Sequence, residues 1–182
     1  MLRERFLAGE SFAQFLERPK KNSDQWNALY KRAKVSDETA AGVAQVRYPW
    51  HLLILSEDWC GDSLNTLPAV ARLTEATPLI DMRIISREAN PDLMSSHLTG
   101  LSRSIPVIMV LDDDFNERGW WGPRPGPLQT WVMERGLTLP KDERYREVRT
   151  WYVRDHGETA LNELIEIIAK AEAVEARAET AT

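Results

Sequence analysis

The stretch from Trp50 to Thr66 constrains this chain more than any other. It runs Trp-His-Leu-Leu-Ile-Leu-Ser, then Glu57-Asp58, then Trp59-Cys60-Gly61-Asp62-Ser63. Leu64, Leu67, Val70, Ala71 and Leu73 follow at helical intervals. A short apolar run closed by polar residues is a buried strand, and a 3.6-residue period is a helix. The spacing predicts a strand over 51–56 and a helix over 60–76, with Cys60 at their join. In open α/β sheets this join is where ligands and chemistry collect. A lone cysteine is often a small buried hydrophobe. Here Asp58, Gly61 and Asp62 make its flanks polar and turn-forming, which favours a reactive thiol. Free N–H groups and the helix dipole stabilise a thiolate and lower its pKa. Asp62 works against this, because a carboxylate near the sulfur raises the thiol pKa. It is expected to point away as a cap residue or to serve as a proton acceptor.

The segments before this stretch read as helices. Ser11 is placed to cap a helix carrying Phe12, Phe15 and Leu16, with Pro19 closing it. Asn22-Ser23-Asp24 offers a second start before Trp26, Leu29 and Tyr30, and Ser36-Asp37-Glu38 a third. The aromatics here are expected to pack in the core. After the central helix, which contains Pro68, residues 78–85 alternate and form a second strand. Asn90-Pro91 opens a short helix. Strand, helix and strand in this order imply a right-handed parallel crossover.

Ser102-Arg103-Ser104-Ile105-Pro106 leads into Val107–Leu111, a third strand with proline at its first position. Asp112-Asp113-Asp114 is a solvated turn without the spacing of a calcium loop. Glu117–Trp121 is the returning strand. Trp121-Gly122-Pro123-Arg124-Pro125 then forms a stiff loop before a helix over 127–135. Arg124 is expected to pair with a carboxylate, or to face an anionic ligand. Two helices end the chain, over 141–156 and 158–176. Gly157 lies at the cap between them, and the Ala/Glu/Thr-rich tail after Ala173 is expected to fray.

Trp59-Cys60-Gly61 after a hydrophobic strand resembles the active-site loop of the thioredoxin superfamily. The second cysteine of that loop is replaced by Ser63, which makes this a one-thiol, Cys-x-x-Ser version. The wider phrase, Trp-Cys-Gly-Asp, then Arg-Ser-Ile-Pro, then Trp-Gly-Pro-Arg-Pro, resembles a group of bacterial thioredoxin-like proteins. The resemblance implies a three-layer α/β/α sandwich on a mixed sheet of about four strands, with helical extensions at both ends. One domain is expected over 1–182: N-terminal helices 1–47, core 48–136 and C-terminal helices 137–182. The resemblance also implies a kinked helix at Pro68, and a cis bond at Ile105–Pro106 facing Cys60. The buried aspartate that thioredoxins carry six residues before the reactive cysteine is here Ile54.

The implied activity is thiol–disulfide exchange through Cys60. Ser63 is the second expected catalytic residue, placed to hydrogen-bond the thiolate, and Trp59, Gly61, Asp62, Ile105 and Pro106 line the substrate groove. Ser63 cannot resolve a mixed disulfide, so an external thiol is required. No bound cofactor is expected; glutathione or another small thiol is the expected co-substrate, and a disulfide-bearing protein or small thiol the partner. The alternative is a thioredoxin-like binding or scaffold module without catalysis. A net charge of −5 argues against nucleic acid as a partner. No apolar run reaches the length of a membrane span, and His51, His97 and His156 lack the spacing of a metal site. One cysteine and a mixed-charge N-terminus without a signal core point to the cytoplasm.

Overall fold

The structure is a computed structural model describing residues 1–18 and 22–180. The helix stop assigned to Pro19 lies outside the described residues. Four strands form one mixed sheet: β1 (Trp50–Ser56), β2 (Ile80–Ser86), β3 (Val107–Leu111) and β4 (Glu117–Trp121), in the order β2-β1-β3-β4. β1 and β2 are parallel, with Trp50 opposite Ile80 and Ile54 opposite Ile84. β1–β3 and β3–β4 are antiparallel. The parallel pair is joined by the long helix that follows Cys60, running Gly61–Glu75 and containing Pro68.

Alternation along β1 divides the interior. Successive strand residues face opposite sides of a sheet. Leu52 and Ile54 enter one apolar cluster, and Leu53 and Leu55 another. The first side is covered by α2 (Phe12–Glu17), α3 (Ser23–Arg32), α4 (Asp37–Val43), α5 (Gly61–Glu75) and the C-terminal helix Glu158–Thr180. The second side is covered by α1 (Leu2–Ala8) and α6 (Pro91–Ser96), through Phe6 and Met94. The result is the expected helix–sheet–helix layering. Each fully buried Leu or Ile contributes about 1.5–3 kcal/mol, so β1, buried on both sides, is the backbone of the core.

The remaining elements are α7 (Gly126–Glu134), a 3₁₀ turn (Gly136–Thr138), α8 (Lys141–Asp155) and α9 (Glu158–Thr180). α7 and α8 pack on each other through Leu128, Val132, Val148 and Tyr152. α8 stops where His156 turns left-handed at φ 56, followed by Gly157 at φ 86. α9 continues beyond Ala176, the end expected from the pattern, to Thr180. Its Ala, Glu and Arg residues are strong helix formers, and that propensity prevails over the tail-like composition.

Local chemistry explains the helix starts. Ser11 Oγ accepts the Gln14 N–H at 3.2 Å, and Gln14 Oε1 accepts the Ser11 N–H at 2.8 Å, closing a capping box. Ser36 Oγ caps α4 by accepting the Thr39 N–H. Glu10 lies beside β2 and exchanges two backbone hydrogen bonds with Ile84, covering part of that edge. Among the described residues, no helix is long and apolar enough to cross a membrane.

Candidate thiol site

Cys60 is the N-cap of α5, at the end of the turn leaving β1. Its N–H donates to Glu57 O at 3.1 Å, which tightens that turn. The sulfur accepts the Ser63 N–H at 3.5 Å, and the thiol donates to Ile105 O at 3.2 Å. The Ile105–Pro106 peptide is cis. The strand end, the helix start and the segment before β3 thus meet at one sulfur.

The sulfur is shielded. Cys60 is only 8% exposed and belongs to the apolar cluster of Leu55, Ile105 and Val107. Burial pushes its pKa above the ordinary thiol value, and the nearby charge of Asp62 adds to the rise. The side chain and backbone of Ser63 oppose it. The lowered pKa expected from the helix N-terminus is therefore not what the site produces. Desolvation of the charged form outweighs the hydrogen bonds that favour it. Ser63 is fully buried, and its Oγ makes no geometric hydrogen bond among the described residues. That hydroxyl is free to turn its hydrogen toward a thiolate.

The Asp62 carboxylate is held by Arg124 and Tyr152. Its Oδ2 lies 2.6 Å from Arg124 Nη2, and its Oδ1 accepts the Tyr152 hydroxyl at 3.0 Å. Burial raises the Asp62 pKa, while Arg124 and then Tyr152 pull it back. Burial beside this carboxylate also holds the Tyr152 hydroxyl well above its usual pKa. Arg124 Nη1 donates to Gln129 Oε1 at 3.0 Å. Of the two roles expected for Arg124, the geometry supplies the carboxylate pair, and the partner is the residue two places after Cys60.

The loop bearing Arg124 is anchored at both ends by Glu163 of α9. Trp121 Nε1 donates to one carboxylate oxygen at 2.6 Å, and the Gly126 N–H to the other at 2.8 Å. Gly122 packs so closely that a Cβ there would lie 2.1 Å from Pro106 O, and its φ is +134. Only glycine meets both demands. The three sequence phrases around Cys60, Pro106 and Arg124 therefore converge in space.

The outer rim is open. Trp59 is 59% exposed, with the Arg87 guanidinium 5.1 Å from its ring centroid. A Cβ on Gly61 would meet no atom within 4 Å. The turn beneath is fixed by Trp26 Nε1, which donates to Asp58 O at 3.1 Å. Ser86 Oγ donates to Glu57 Oε1 at 2.8 Å. Tyr152, Gln129, Glu163 and Trp26 were not expected at the site. Each lies far along the chain and resembles an ordinary helix residue, so no local pattern marks it.

The chain's relationships agree with this architecture. The thioredoxin family model matches residues 9–149. No curated protein matches. A crystal structure of a protein of unknown function, PA1234 from Pseudomonas aeruginosa, superposes with a TM-score of 0.75 at 22% identity. The match covers 93% of this chain and 97% of that one. An HIV epitope-scaffold carrying the 4E10 designation has a TM-score of 0.74 at 22% identity, covering 92% of this chain and 97% of its own. At that identity the likeness speaks for the fold. The family match spans strand, thiol, cis-proline segment and Arg124 loop together, and the chain belongs to the thioredoxin family.

Proposed function

We propose that this protein carries out monothiol thiol–disulfide exchange through Cys60. The observation that carries the reading is the position of the sulfur. It caps α5, faces the Ser63 N–H and contacts the Ile105 carbonyl beside Pro106. In the first step Cys60 loses its proton to solvent, and the thiolate attacks one sulfur of a substrate disulfide. The substrate S–S bond breaks, the other sulfur leaves as a thiolate, and a mixed disulfide with Cys60 forms. An external thiol, glutathione or another small thiol, then attacks that bond and releases Cys60. That attack on the substrate-derived sulfur moves the disulfide onto the external thiol, and a second external thiol then displaces the substrate thiolate, so that one disulfide is reduced, two external thiols are oxidised to their disulfide and Cys60 is returned unchanged. Trp59, Gly61, Asp62, Ile105 and Pro106 border the path of approach, and a reducing cytoplasm would keep the thiol available.

The raised pKa sets a condition on this chemistry. Exchange is slow near neutrality and accelerates as pH rises through and beyond the ordinary thiol value of about 8.5. The shielding of Cys60 favours a second reading, a thioredoxin-like module that binds a partner and exchanges nothing. Incubation with hydroxyethyl disulfide at about pH 9, in parallel with alkylation, separates the two. The exchange reading expects a mixed disulfide on Cys60 by mass spectrometry, discharged by glutathione and absent in Cys60→Ser. A thiol that alkylates at that pH yet never forms the mixed disulfide would sink it and leave the binding module.

A further inference from the structure

A buried carboxylate two residues from a thiol that has to ionise is a liability. Asp62 bears on Cys60 from the same helix, and its charge disfavours a thiolate. Ser63 is the other residue of that helix bearing on the sulfur, and the segment before β3 contributes only the Ile105 carbonyl. Both oxygens of Asp62 are nevertheless occupied. One faces the Arg124 guanidinium, brought in by the loop between β4 and α7, and the other the Tyr152 hydroxyl from α8. Arg124 is held in turn by Gln129, and its loop by Glu163 and by the contact of Gly122 with Pro106. Two separate parts of the chain, the β4–α7 loop and α8, are committed to one side chain that does not itself touch the sulfur's hydrogen bonds.

We propose that Arg124 and Tyr152 are positioning residues that occupy the Asp62 carboxylate so that it does not oppose thiolate formation at Cys60. Helix α8 is then part of the thiol site and not an appended support. This inference rests on the exchange reading for its purpose, but its physical content concerns Cys60 ionisation alone. Arg124 supplies the compensating charge. Tyr152 supplies a neutral donor that fixes which way the carboxylate faces. Removal of Arg124 leaves a buried negative charge beside the sulfur, and removal of the Tyr152 hydroxyl loosens the carboxylate without changing net charge.

The test is the pH profile of Cys60 alkylation in the full-length protein, with folding checked by circular dichroism. Arg124→Gln is expected to slow alkylation about tenfold at a pH below the thiol pKa, the effect of one pKa unit. Tyr152→Phe is expected to slow it about twofold to threefold, a few tenths of a unit on the same scale. Asp62→Asn is expected to speed it, and Arg124→Gln added to Asp62→Asn is expected to change nothing further. A profile unmoved by Arg124→Gln, or an Arg124→Gln effect that persists in the Asp62→Asn background, overturns the inference. If Arg124→Gln fails to fold, Tyr152→Phe and Asp62→Asn carry the decision, and coincidence of both profiles with the unmodified protein overturns it. None of these outcomes depends on mixed-disulfide formation, so failure of the exchange reading is seen separately.

Discussion

The two helical extensions both reach the Cys60 turn, but by different means. The N-terminal one acts through the backbone and apolar packing. Glu10 pairs with Ile84 at the edge of β2, and Trp26 packs against Phe15 at 4.9 Å while donating to Asp58 O. The C-terminal one acts through side chains that carry or accept charge. Tyr152 donates to Asp62, Glu163 clasps the Arg124 loop, and Glu172 sits buried under the start of β1. Glu172 Oε1 accepts the N–H groups of Arg47 and Tyr48 and Nε1 of Trp50. One extension holds the turn in place, and the other sets the electrostatics around the sulfur. Stability and reactivity are therefore expected to be separable by substitution.

The largest effect is expected from Trp26→Ala. Trp26 is fully buried, and truncation of a core aromatic costs about 3–5 kcal/mol. Denaturant unfolding should show that loss, while the alkylation profile of the folded protein stays near that of the unmodified chain. A profile shifted as far as that of Arg124→Gln would break the comparison. Next comes Glu172→Ala, which strips three donors of their acceptor and should cost about 1–3 kcal/mol. This substitution shows how much stability the C-terminal extension adds, and equality with Trp26→Ala would remove the contrast.

The smallest effect belongs to neither extension. His97 is buried between α6 and β4, with Nε2 at 2.9 Å from Glu117 Oε1 and Nδ1 at 2.7 Å from Leu93 O. The Glu117 hydrogen bond raises the His97 pKa more than burial lowers it. A folded-state value above the unfolded one means that the imidazolium stabilises the fold. The contribution is complete below the unfolded value of about 6.5 and is lost as pH rises through the folded value. Unfolding measured across that window should show a small decline in stability, absent in Glu117→Gln. A decline that survives in Glu117→Gln would assign it to another group.

What the sequence revealed and what it concealed divide along physical lines. β1, Cys60 and α5 were legible because period-two and period-3.6 patterns are local. The approach of Ile105–Pro106 to Cys60 was legible by family resemblance. Arg124 was half legible: a salt bridge was expected, but its partner was set by a fold contact between positions 62 and 124. Tyr152 was illegible, since an aromatic on a charged amphipathic helix reads as packing until its hydroxyl is found on Asp62. The direction of the Cys60 pKa was read wrongly for a related reason. A helix N-terminus is visible in a sequence, but the depth at which the sulfur is buried is a property of the assembled core.

The hydrogen bond from the Cys60 thiol to Ile105 O has a consequence beyond catalysis. A thiol can donate that bond, whereas a thiolate or a disulfide sulfur has no proton to give. Whenever the sulfur ionises or is capped, the carbonyl ahead of β3 loses this donor and must turn to water or rearrange. The chemical state of one atom is thus written into the backbone where helix and sheet meet.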